Sequence, residues 1–74
     1  MTKDQIRTKI AHAKGRRSLP DAVLAGNSWP KDYDGVVARM DGSKVNFQAW
    51  RAEVHAEEDR IIAELTAMLE QADG

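Results

Sequence analysis

The chain has 74 residues, no cysteine, and twelve acidic against eleven basic side chains, for a net charge of −1. That length makes one small domain (residues 1–74) near the lower limit for a single unaided core, and the lack of thiols excludes disulfides and thiolate chemistry. No run approaches the roughly 18 apolar residues of a membrane span, and the charged start "MTKDQIRTKIAHAKGRR" has no secretory apolar core, so a cytoplasmic protein is expected.

Thr2 is placed to cap a first helix, with Gln5 at the capping-box position. Ile6, Ile10 and Ala13 then form a narrow apolar stripe that Gly15 should end. A second, shorter helix is expected over "SLPDAVLAG", with Ser18 as N-cap, Pro20 in the first turn and Gly26 as a left-handed C-terminal cap. Leu19, Val23 and Leu24 should face inward.

The segment "NSWPKDYDGVVARMDGSKVNF" admits two readings. In the helical one, Ser28 caps, Pro30 falls in the first turn, and Trp29, Tyr33, Val36, Val37 and Met40 make one apolar stripe that Gly42 closes. Gly35 inside that helix costs about 1 kcal/mol relative to alanine. In the other, Asp41-Gly42 is a two-residue hairpin turn pairing Met40 with Ser43, Ala38 with Val45 and Val36 with Phe47. Its opposite face would set Arg39 against Lys44, an unfavourable pair of like charges. The longer stripe favours the helix. The hairpin version would be α-β-β-α, an order loosely similar to phage head-completion proteins, but that likeness rests on the Asp-Gly turn alone and assigns no family.

From Asn46, a natural N-cap, to about Ala72 there is no Gly or Pro. Phe47, Trp50, Val54, Ile61, Leu65 and Met68 recur on one side, with Ile62 and Leu69 beside them. The expected fold is therefore all-α, three short helices on one long C-terminal helix, with α+β (α-β-β-α) as the alternative.

Charge is segregated along the chain. Residues 1–17 carry six cations against Asp4, and residues 52–74 carry seven acids, Asp73 among them, against Arg60. The long helix should measure about 39 Å, against roughly 30 Å for a compact globule of this length. Its last turns should therefore overhang, leaving Ile61, Ile62, Leu65, Met68 and Leu69 for a protein partner or a second copy. The competing arrangement folds the first helix back over them, lysines and arginines meeting glutamates.

No catalytic motif, phosphate loop or cofactor signature is present, and neither an enzymatic role nor a small-molecule substrate is expected. His55, Glu58 and Asp59 share a helical side, but a zinc site needs more convergent His or Cys ligands. The expected function is a small non-enzymatic regulator or inhibitor, homodimeric and phage- or mobile-element-like in its composition, that binds and modulates a partner macromolecule. The alternative is a nucleic-acid-binding regulator using Lys9, Lys14, Arg16 and Arg17 against phosphates. Trp29 is a further candidate anchor for a partner, though core packing is the commoner role for such a residue.

Overall fold

A computed structural model describes residues 1–72; Asp73, counted above with the acidic end, lies outside the described residues. The order is α1 (Lys3–Arg17), α2 (Leu19–Gly26), β1 (Val36–Ala38), β2 (Lys44–Asn46) and α3 (Phe47–Gln71). The molecule is mostly helical, as expected, but a two-stranded antiparallel hairpin stands where the third short helix was expected.

The capping box at Thr2 is present: its hydroxyl accepts the Gln5 N–H at 3.2 Å, and its own N–H donates to Gln5 Oε1 at 2.8 Å. α1 continues through Gly15 to Arg17. Ser18 alone separates it from α2, and its hydroxyl donates back to the Lys14 carbonyl instead of capping α2. Pro20 and Leu24 are buried, but Leu19, expected inward, is half exposed.

α2 does not end on a left-handed Gly26. The Trp29 N–H donates to the Leu24 carbonyl at 3.0 Å and the Ser28 N–H to Ala25 at 3.2 Å, the two bonds of a Schellman motif. Ser28 takes the left-handed position, with φ 54°, so it closes α2 and does not open a new helix.

The expected helix from Trp29 to Met40 fails because its apolar residues serve two different structures. Trp29 and Tyr33 stack at 3.9 Å, and both present an edge to Phe47. Val36 and Met40 instead point to solvent, Met40 completely. Phe47 is fully buried and also meets Trp50, so the four aromatics form one cluster. Backbone bonds fix the change of direction: the Gly35 carbonyl accepts the Phe47 N–H at 2.8 Å.

Asp41-Gly42 does turn the hairpin, but in a three-residue loop. The Gly42 N–H donates to the Arg39 carbonyl, the Arg39 N–H to Ser43, and Gly42 has φ 87°. This is a type I turn followed by a left-handed glycine. The register is Val36↔Asn46, Val37↔Val45 and Ala38↔Lys44, one residue from the two-residue-turn pairing. Such a slip exchanges the faces, so Val37 and Val45 turn inward together.

Asn46 caps α3 through its side-chain oxygen, which accepts the N–H of Gln48 and Ala49, while its amide donates to the Asp34 carbonyl. Gln48 donates to the Lys31 and Tyr33 carbonyls. One turn of α3 thus holds the whole incoming loop. The main helical interface is α1 against α3, running antiparallel: Arg16 meets Glu58, while Lys9 lies near Leu65. The result is elongated, 47 × 22 × 17 Å with a radius of gyration of 15.0 Å, against about 11 Å for a compact chain of this length.

Candidate protein-interaction surface

Ile61, Leu65 and Met68 follow Trp50 and Val54 along one flank of α3, at spacings of three, four and seven residues. Two grooves open on this flank, and Arg16 and its neighbourhood separate them. The first, of about 320 Å³, lies between the start of α2, the hairpin and α3, and is lined by Leu19, Ala38, Met40, Trp50 and Val54. The second, of about 350 Å³, lies between α1 and α3, with Met1, Ile61 and Leu65 as its apolar wall and Lys9 and His12 on its α1 side.

The divider is an ion pair. Arg16 Nε sits 3.0 Å from Glu58 Oε1, and Glu58 is the buried charged residue among those described. Here lies the physical reason for the acidic interruption in the apolar stripe: α1 folds back and brings the arginine to it. Arg17 pairs with Asp59 at 2.6 Å in the same way. The competing arrangement, with α1 folded over the end of α3, is the one adopted.

The rim of the hairpin groove is also ionic. Arg39 makes a bidentate pair with Glu53, one bond at 3.0 Å. That hydrogen bond holds the Glu53 carboxyl below its ordinary range and raises the Arg39 guanidinium. The Ser43 hydroxyl and N–H together lower the Asp41 carboxyl at the turn. Along the edge of this flank away from α1, Arg60 is shared by Glu57 and Glu64, which raise it.

The structure distributes the candidate residues unevenly. Ile61 and Leu65 share a groove, Met68 is substantially exposed further along, and Ile62 and Leu69 are half-buried without lining either groove. Of the basic set, Arg16 and Arg17 are ion-paired, whereas Lys9 and Lys14 are exposed and make no ion pair among the described residues. Trp29 is half-buried in the aromatic cluster and borders a third cleft with Leu24 and Arg51.

Glu58 and Asp59 are occupied by arginines, so the His55 set does not converge on a metal, and no group of three or more such ligands occurs among the described residues. The His55 Nε2 is shielded from solvent without a hydrogen-bond partner there.

Sequence reasoning missed Leu19 and Met40. The position of Leu19 in α2 predicts an inward side chain, and Met40 belongs to a helical stripe that does not form. The glycine after Asp41 was the available signal, since it puts Met40 at a hairpin tip.

No helix among the described residues is long and apolar enough to cross a membrane. Comparison with known families, curated proteins and solved structures gives no match to this chain.

Proposed function

We propose that the protein is a non-enzymatic binding module of the cytoplasm that recognises a partner protein through the hairpin-end groove and modulates it by occupying its surface. One observation carries this reading: Met40 is fully exposed at the hairpin tip and lines one groove with half-exposed Leu19, Trp50 and Val54. Each large side chain left wet forgoes roughly 1.5–3 kcal/mol of burial, and a flexible methionine at the mouth of a groove suits an adaptable contact. The Arg39–Glu53 and Arg16–Glu58 pairs flank the apolar floor with fixed polar groups, the arrangement of a hydrophobic centre with a polar rim. The partner would insert an apolar side chain between Met40 and Leu19.

Nucleic-acid binding through Lys9, Lys14, Arg16 and Arg17 is the second reading and has less support. Two of its four cations already face carboxylates.

The test uses the exposed residues, whose replacement leaves the core intact. Wild-type protein and the Met40→Glu and Leu19→Glu variants are immobilised and challenged with extract of the native host. A protein retained by the wild type and lost by both variants supports the reading. Identical retention by all three overturns it.

A further inference from the structure

We infer that the distal part of the same flank, Met1, Ile61, Leu65 and Met68 with the α1 edge, pairs with a second copy of this chain, α1 of each copy lying on α3 of the other. Three observations lead there. The first is area: the molecule exposes 5224 Å², where a chain of 8.2 kDa is expected to expose about 4,500 Å². The excess, about 700 Å², is close to the roughly 800 Å² each partner contributes to a standard interface. The second is composition. Met1 and Met68 are exposed and Ile61 and Leu65 only half-covered, although the α1–α3 pair is the principal contact of the fold.

Charge complementarity is the third observation, and it selects the geometry. A face-to-face pair about a two-fold axis can set α1 on α1 and α3 on α3, or each α1 on the other copy's α3. With the intramolecular pairs set aside, α1 keeps Lys3, Lys9 and Lys14 without an ion pair among the described residues, and α3 keeps Glu70 with Glu57 and Glu64 sharing one arginine. The first packing therefore apposes like charges twice, and the second apposes opposite charges twice. Because Lys9 and Leu65 lie at the same level of one molecule, the second packing brings Lys9 opposite the second copy's Glu64. Lys9 has no ion pair among the described residues, and Glu57 and Glu64 share the one Arg60, so unbalanced charge of each sign faces the other.

This inference does not rest on the partner groove, which lies at the hairpin end of α3. Sedimentation velocity and light scattering on the full chain decide it, with circular dichroism confirming that each variant is folded. The wild type at tens to hundreds of micromolar should show twice the mass of one chain. Met68→Glu, at a solvent-exposed position, should weaken the dimer more than about tenfold. Lys9→Glu should weaken it about fivefold, and Lys9→Glu with Glu64→Lys should restore it, while Met40→Glu leaves it unchanged. A wild type that stays monomeric overturns the inference. So does a dimer indifferent to Met68→Glu, or one that Lys9→Glu leaves equal or tighter, as like-on-like packing would require.

Discussion

Gly35 shows how little room the aromatic cluster leaves. A Cβ built there would run into the Tyr33 Oη and Cζ. The ring cannot simply swing aside, because it is stacked on Trp29 and set edge-on to Phe47. Gly35→Ala should therefore destabilise by about 1–3 kcal/mol, the usual cost of overpacking, read as a lower urea midpoint. Tyr33→Leu in the same chain should recover part of that loss, since it removes the clashing ring end. In a helix Gly35 would be a defect; in the folded chain it lets a ring lie across the backbone. Ser28 presents the converse case, a left-handed position held by a residue other than glycine or asparagine, which nothing in its residue type announces.

At the scale of elements, short-range chemistry specifies each end of a helix but not how the elements combine. The capping box at Thr2, the N-cap at Asn46 and the long uninterrupted α3 all follow from short-range chemistry, and all are present. A two-residue turn would oppose Arg39 and Lys44, which makes the hairpin the less favourable reading of the sequence. The three-residue loop removes that objection: Arg39 faces Ser43 in the ladder and reaches Glu53 on α3. A shift of one residue in the loop thus changed the sign of the argument. The apolar positions Ile61 and Leu65 were likewise legible from their period, but the cover supplied by α1 depends on tertiary placement that period does not encode.

The hairpin also carries the pH dependence. Glu53 is lowered from its ordinary 4.5 by Arg39, and Asp41 from its ordinary 3.8 by Ser43. A carboxyl with a depressed folded pKa is protonated more readily in the unfolded chain. Its stabilisation is fully present above the ordinary values and lost as pH falls through the folded ones. Amide exchange at Val37, Arg39 and Ser43, corrected for intrinsic rate, should therefore accelerate below about pH 4.5 before the helical circular dichroism signal changes. Equal protection of the hairpin at pH 6 and pH 2.5 would contradict the role given to these two carboxyls.

For the whole molecule, the Arg16–Glu58 pair is the most informative contact between α1 and α3. Its two ends are unequally wet: the Arg16 side chain is 52 % exposed and that of Glu58 11 %. Removing the buried end leaves a solvated arginine, while removing the exposed end leaves a buried carboxylate without its partner. Glu58→Leu should accordingly be neutral or stabilising by up to about 2 kcal/mol, whereas Arg16→Ala should cost about 1–3 kcal/mol. Denaturant midpoints of the two variants, compared with the wild type, test the asymmetry. The Glu58→Leu change would also extend the apolar lining of the hairpin-end groove at its boundary with the second.

The fold-back of α1 has an entropic side as well. Arg16 and Glu58 are 42 residues apart in the chain, and everything between them forms from near neighbours: α2 with its own cap, the hairpin with its own loop, and the aromatic cluster around Phe47. Closing a segment of that length costs about 3 kcal/mol of chain entropy beyond a fixed constant. The local elements carry their own caps and turns, but it is the docking of α1 on α3 that brings the buried core residues Ile6 and Ala13 into place. The small centre thus depends on an arm that must return from the far end of that loop, and a chain cut after Arg17 should lose its cooperative unfolding transition.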